Sequence, residues 1–173
     1  MSGLTVSFTA ARDLDDAGRE VILNVLAQVP YAATCITGGA VGGDAFIGRW
    51  LHEHHPQAHH LIIVPADRSQ VDPWWMETGN AGVIEMPPGT TYADRNYQLV
   101  QRAAMVFGFP AYPEDDPRSK RSGTWQALRM SRRAGNLCRW DCVKPPYRGR
   151  IEKWPSEFAG RDATATLREE TAP

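Results

Sequence analysis

Ile36-Thr37-Gly38-Gly39-Ala40-Val41-Gly42-Gly43-Asp44-Ala45-Phe46-Ile47-Gly48-Arg49-Trp50-Leu51 is the stretch that decides the fold. An apolar, β-type run over 34–37 breaks into four glycines between Gly38 and Gly43, after which Phe46, Ile47, Trp50 and Leu51 recur at helical spacing. Strand, glycine turn and helix start, in that order, suit an anion. Glycine lets the backbone approach a ligand closely, and the first N–H groups of a helix have no intrahelical partner. The stretch lacks the Lys-Ser or Lys-Thr of a P-loop. It is not a clean G-x-G-x-x-G either, because Gly38 and Gly39 are adjacent and Gly43 follows four residues later. The plain alternative is a tight strand-to-helix turn with no ligand.

Outward from that turn, strands and helices alternate. Leu4 to Thr9 reads as a first strand, and Asp13, Asp15 and Asp16 offer N-caps for a helix over about 15–28 whose apolar face is Val21, Ile22, Val25, Leu26 and Val29. The glycine-turn helix runs to about His55, before Pro56. Leu61 to Val64 and Val83 to Met86 read as the third and fourth strands, separated by a loop carrying Trp74 and Trp75, which could form a lid or face a partner subunit. A helix over about 92–103, a strand at Met105 to Phe109, a helix capped by Ser122 or Thr124 and closed by Gly135, and a strand within Asn136 to Val143 complete the order. Short, nearly apolar strands alternating with helices predict an α/β, Rossmann-like three-layer sandwich with a mainly parallel sheet of about six strands. The expected domain spans 1–143. Residues 144–173, rich in proline and charge, read as a C-terminal arm, extended and disordered after Gly160.

The formal net charge of −1 hides an uneven distribution: residues 1–117 carry a net −8, residues 118–150 a net +9 and residues 151–173 a net −2. A basic block can serve an anionic ligand or nucleic acid, or can simply neutralise an acidic face of the same domain. Because the whole chain is not basic, a nucleic-acid role is the less favoured of these. No apolar run approaches the ~20 residues that cross a bilayer, and no basic stretch followed by an apolar block opens the chain. Three cysteines, an odd number, fit a reduced setting, so a cytoplasmic protein with no membrane partner is expected. Only His52 and His55 among five histidines have the spacing of zinc ligands on one helix face, and Cys138 and Cys142 lack the spacing of a zinc knuckle. No metal and no resident cofactor is expected.

In a parallel sheet of this kind, ligands bind at the carboxyl ends of the strands. That rule gathers Thr9 to Arg12, Gly38 to Asp44, Pro65 to Asp67, Glu85 to Thr91 and Ser122 to Thr124 in one crevice. Arg12 could reach an anion held at the second helix. Asp44, in a first helical turn, is either a response to the helix dipole or a partner for a ribose hydroxyl or base edge. Arg95 could pair with phosphate and Asn96 with a base or a neighbouring loop. The Ser122 and Thr124 hydroxyls, with the amides around Gly123, form a second anion-binding helix start. Asp44 and Glu85 are the carboxylates nominated for acid–base work, and no Ser-His-Asp or Cys-His arrangement is present.

The order Thr9-Ala10-Ala11-Arg12, Thr37-Gly38-Gly39-Ala40-x-Gly42-x-Asp44, Asp94-Arg95-Asn96, Ser122-Gly123-Thr124 resembles the SLOG superfamily, which groups the DNA-processing protein A fold with the Lonely Guy phosphoribohydrolases. The nearest branch in this resemblance is its small stand-alone YAcAr-like members of bacteria and phages, and it covers about residues 4–143. The resemblance implies a Rossmann-like fold binding nucleotides or nucleotide-derived ligands. It implies a main loop of Gly38, Gly39, Gly42 and Asp44, with Ala40 and Gly43 of the same turn expected beside the ligand, an Arg-Asn pair at Arg95 and Asn96, and a second glycine loop at Gly123 and Thr124. Where Lonely Guy enzymes carry the Glu of P-G-G-x-G-T-x-x-E, this chain has Ala127, and the motif's first glycines are missing.

The resulting expectation is a sensor or binding module for a small nucleotide-derived ligand, with a homo-oligomer open as an arrangement. The rivals are an N-glycosidic hydrolase of nucleoside monophosphates, using Glu85 or Asp44, and a single-stranded DNA-binding protein. The last would stack bases on Trp125, Trp140, Tyr147 or Trp154 beside the basic block.

Overall fold

The computed structural model describes residues 3–55, 59–76 and 82–148. Six strands form one sheet: β1 (Thr5–Ala10), β2 (Thr34–Thr37), β3 (His60–Val64), β4 (Gly82–Glu85), β5 (Met105–Phe109) and β6 (Leu137–Trp140). Every adjacent pair is parallel, and the order across the sheet is β4-β3-β2-β1-β5-β6. The chain thus steps outward from β1 to β4, then crosses back to lay β5 on the other side of β1. That reversal opens a crevice beyond the carboxyl ends of β1 and β5.

Four helices cover the sheet: α1 (Asp16–Leu26), α2 (Gly43–His54), α3 (Tyr92–Gln101) and α4 (Gly123–Arg133). Ile22, Val25 and Leu26 of α1 and Ile47 and Leu51 of α2 bury with Val6, Phe8, Phe107 and Phe109 in one core layer. Val100 of α3 and Trp125 and Leu128 of α4 bury with Val106 in another. Alternation along the strands feeds the two layers: Phe107 faces one and Val106 the other. The helix starts are set locally. Asp15 caps α1 through the Gly18 amide at 2.8 Å, Thr91 and Asp94 form a reciprocal capping box on α3, and Ser122 accepts from the Trp125 amide of α4 at 3.2 Å.

Among the described residues between β3 and β4 there is no α-helix. Two short 3-10 turns, Arg68–Gln70 and Pro73–Met76, carry Trp75 onto Ile62 and Val64, where a crossover helix would otherwise lie. Trp75 is 1% exposed and so belongs to the core. A Cβ on Gly48 would come within 1.5 Å of its ring, which explains a glycine in mid-helix at a position where alanine is the better helix former. Trp74 lies outside it, against the Arg49 guanidinium and the edge of His52.

Just beyond β6 the chain lies against the start of α1. Val143 is buried against Gly18 of α1, Lys144 pairs with Asp13 at 2.8 Å, and Arg148 pairs with Asp15. Residues 144–148 therefore strap the β6 end to the start of α1. The expected disorder beyond Gly160, and Trp154 with it, lie outside the described residues.

Candidate functional site

The glycine turn and the first turn of α2 are held by one buried ion pair. Asp44 Oδ2 accepts from Arg95 Nη1 at 3.2 Å, and the two side chains are 5% and 7% exposed. Asp44 Oδ1 accepts from the Ala10 amide at 3.0 Å. One carboxylate thus joins the end of β1, the start of α2 and the second turn of α3. Burial pushes its pKa above the ordinary carboxylate value, against the downward pull of Arg95 and of the Ala10 and Ala40 amides.

The four glycines press on the chain itself. A Cβ on Gly38 would sit 1.6 Å from Arg95 Nη1, and one on Gly39 would sit 2.9 Å from Ile62 and Val64. Gly42, at φ +91°, packs on the Arg12 backbone, and Gly43 packs on Ala10 and Ala11. Several amides of the turn are already spent: Val41 donates to Gln70, Gly43 to Ala11 and Ala45 to Ala40. The close approach that the glycines permit is therefore approach of β1, β3 and α3 to the turn.

In front of this wall lies a cavity of about 520 Å³, within the range of small-molecule sites. The end of β1 contributes Thr9, Ala10, Ala11 and Arg12. The glycine turn contributes Ala40, Val41 and Asp44, α3 contributes Tyr92, Arg95 and Asn96, and the segment after β5 contributes Ala111. Arg121, Ser122, Gly123, Thr124 and Gln126 at the start of α4 close it. Of the residues singled out in the sequence, Thr9, Arg12, Ala40, Asp44, Arg95, Asn96, Ser122, Gly123 and Thr124 meet round this one cavity. Gly38, Gly39, Gly42 and Gly43 stand behind it. Glu85 is elsewhere, on the exposed edge strand β4, in an ion pair with Arg68 at 2.6 Å.

Two polar surfaces, joined through Asn96, line the cavity. At the α4 start the Ser122 hydroxyl is used as a cap, and the Gly123 and Thr124 amides have no partner among the described residues. Arg12 and Arg121 are exposed on the same rim and have no ion-pair partner among the described residues. With Arg95 neutralised by Asp44, these two arginines leave the lining with an excess of two positive charges. Beside it, α3 carries three solvent-shielded atoms without a hydrogen-bond partner among the described residues: Tyr92 Oη, Arg95 Nε and Asn96 Oδ1. Asn96 is oriented by its own bonds, since Nδ2 donates to the Gly123 carbonyl at 3.2 Å and to Gln126 Oε1 at 2.9 Å. Tyr92, Arg121 and Gln126 were not among the expected site residues. The i, i+3, i+4 relation of Tyr92 to Arg95 and Asn96 was the available signal for the first.

Half of the basic block is taken up in ion pairs within the described residues. Arg118 pairs with Asp116 at 2.6 Å, Arg129 and Arg132 share Glu114 at 2.8 and 2.7 Å, and Lys144 and Arg148 pair with acids before α1. Trp125 is buried with its indole N–H donating to the Tyr112 carbonyl, and Trp140 packs on it edge-on. The histidines are engaged with aromatic rings: His54 stacks on Trp50, His55 on Tyr31, and His60 meets the edge of Trp75. Among the described residues, no group of three or more His, Cys, Asp or Glu is placed to hold a metal ion, and no helix is long and apolar enough to cross a membrane.

The sheet order defines the molecule as a Rossmann-like α/β protein, with a cavity at its topological switch point. No family model matches the chain, and no curated protein matches it. Among solved structures it is similar to DNA processing protein A from Streptococcus pneumoniae, with a TM-score of 0.64 at 12% identity. The match covers 98% of this chain and 57% of that one, so the chain spans little more than half the length of that protein. The likeness is one of fold: a parallel sheet with helices on both faces.

Proposed function

We propose that this chain is a SLOG-type domain of the small stand-alone YAcAr-like kind, a cytoplasmic sensor or binding module for a nucleotide or nucleotide-derived ligand. The observation that carries the reading is the meeting, on one cavity, of two amides at the start of α4 and two arginines, Arg12 and Arg121, that have no hydrogen-bond or ion-pair partner, respectively, among the described residues. A helix N-terminus with arginine beside it suits a phosphate group. The phosphate is therefore assigned to Gly123, Thr124, Arg12 and Arg121. The Gly38–Gly43 turn and the Asp44–Arg95 pair shape the cavity from behind.

A hydrolytic reading gains little support. Asp44 is the one carboxylate among the described residues of the cavity lining, and it is already held by a guanidinium and a backbone amide. Glu85 lies off the cavity, and Ala127 stands at the position of the glycosidase Glu. A single-stranded DNA reading draws on the fold likeness to a DNA processing protein. The ion pairs that absorb Arg118, Arg129, Arg132, Lys144 and Arg148 weigh against it.

The test is a thermal-shift panel of nucleoside mono-, di- and triphosphates against the wild type and Arg121→Glu. A ligand at a hundred times its Kd adds about 2.7 kcal/mol, which for a chain of this size raises Tm by roughly 5–10 °C. The expected result is a shift in the wild type and its loss in Arg121→Glu, whose own Tm stays unchanged because Arg121 is exposed. No shift with any nucleotide, or an undiminished shift in the variant, rejects the assignment. Strongly salt-dependent binding of an oligonucleotide, with no response to mononucleotides, transfers support to the DNA reading.

A further inference from the structure

The α3 wall carries information that the phosphate end does not. Tyr92, Arg95 and Asn96 stand at i, i+3 and i+4 on one helix face, and all three line the cavity. Arg95 and Asn96 are 6% and 2% exposed. Each residue contributes one shielded polar atom that no group among the described residues satisfies: a hydroxyl at Tyr92, a donor at Arg95 Nε and an acceptor at Asn96 Oδ1. The Asn96 assignment is firm on chemical grounds. Its neighbour Gly123 O is an acceptor, so the side-chain nitrogen has to face it and the oxygen has to face away. Three such atoms together are unusual in a native wall, where buried polar groups are normally paired.

The ligand chemistry that matches this set both donates and accepts. A fully ionised phosphate has no proton to donate, so it leaves Asn96 Oδ1 unmet. An apolar group leaves all three unmet. A hydroxyl accepts from Arg95 Nε while donating to Asn96 Oδ1, and a second, adjacent hydroxyl meets Tyr92 Oη.

Building on the nucleotide reading of this cavity, we infer that the α3 face, with Tyr92 as its specificity-determining residue, recognises the vicinal hydroxyls of a ribose and so selects ribonucleotides over 2′-deoxyribonucleotides. Asp44, whose oxygens are taken up by Arg95 and Ala10, has no part in that recognition. Because the three atoms are screened from solvent, ribose contact requires a side-chain adjustment of the wall, a change common on binding.

The experiment is isothermal titration of the full chain with AMP, 2′-deoxy-AMP, ribose 5-phosphate and 2-deoxyribose 5-phosphate, on the wild type and Tyr92→Phe. Tyr92→Phe removes only an unpartnered hydroxyl and keeps the ring beneath the Arg95 guanidinium, so its Tm is expected to equal or exceed that of the wild type. A lost neutral hydrogen bond corresponds to about a three- to tenfold fall in affinity. The expected outcome is that each deoxy ligand binds the wild type about tenfold more weakly than its ribose counterpart. Tyr92→Phe loses three- to tenfold for the ribose ligands and narrows that gap. Equal binding of ribose and deoxy ligands overturns the inference while leaving the nucleotide reading standing. So does a Tyr92→Phe variant with unchanged affinity, or a preference confined to AMP and absent from the sugar phosphates, which points to the base edge instead. Failure of all four ligands and of every other nucleotide takes down the nucleotide reading itself.

Discussion

Asp44→Ala tests the architecture behind the cavity most sharply. The substitution removes the ionic partner of a guanidinium that is 7% exposed, and it removes the acceptor of the Ala10 amide. Breaking a buried pair from one side costs about 3–5 kcal/mol, and leaving a buried amide unmet costs about 1–3 kcal/mol. Since these overlap, the expected loss is about 4–6 kcal/mol, a large part of the stability of an ordinary domain. Arg95→Met leaves the complementary problem, a buried carboxylate, but that group can take up a proton. Its pKa is already raised by burial, and without the guanidinium it rises further. A folded state that keeps a proton the unfolded chain has released loses stability as pH rises from the ordinary value of 3.8 through the folded pKa. Arg95→Met is therefore most stable at acid pH and weakens towards neutrality, whereas Asp44→Ala has no such dependence from this site. Urea unfolding followed by circular dichroism, for both single variants and the double, measures all of this. The double variant is expected to lose less than the sum of the singles, because an apolar pair leaves no orphaned charge. A loss below about 1 kcal/mol for Asp44→Ala, or simple additivity in the double, refutes the reasoning.

Three further outcomes follow from the same packing. Gly38→Ala brings a Cβ within 1.6 Å of Arg95 Nη1 and forces that side chain off Asp44, so its loss in urea unfolding should approach that of breaking the pair, about 3 kcal/mol or more. Gly48→Ala improves helix propensity by about 1 kcal/mol but overlaps the Trp75 ring, and overpacking at ~1–3 kcal/mol or more leaves a net loss visible as a lower Tm. His60, pushed down to about 4 by burial, stays neutral in the folded chain while the unfolded chain protonates at its ordinary 6.5. Stability is therefore full above pH 6.5 and falls between pH 6.5 and about 4, by at most about 3 kcal/mol. His60→Gln should flatten that part of the pH–Tm curve.

The sheet was legible because its signals are local. Thr34–Thr37 and Met105–Phe109 are apolar runs bounded by turns, and the sequence reading placed both strands to the residue. Asp15 and Ser122 announce helix starts through side-chain oxygens a few residues from the amides they cap, whereas the Thr91 cap of α3 emerged only with the structure. What sequence does not carry is the direction in which an absent Cβ would have pointed. Gly38, Gly39, Gly42 and Gly43 read equally as ligand contacts or as chain contacts, and the side chain filling the space at Gly38, Arg95, is 57 residues away in sequence. The same holds for charge. The excess over 118–150 suggested a basic surface, but Glu114 and Asp116 lie just before it and Asp13 and Asp15 lie more than a hundred residues earlier. Only the fold brings them together. Trp75 was ambiguous because a crossover without a helix has no periodic pattern to reveal its buried side. Tyr92 was missed because a missing hydrogen-bond partner is a property of three dimensions.

The central claim is that phosphate binds at the start of α4. A crystal structure of the chain with a ribonucleoside 5′-monophosphate tests it most directly. The account predicts phosphate oxygens within hydrogen-bond distance of the Gly123 and Thr124 amides, with Arg12 and Arg121 closing on them. A phosphate seated instead on the Gly38–Gly43 backbone, or a nucleotide bound away from this cavity, contradicts it.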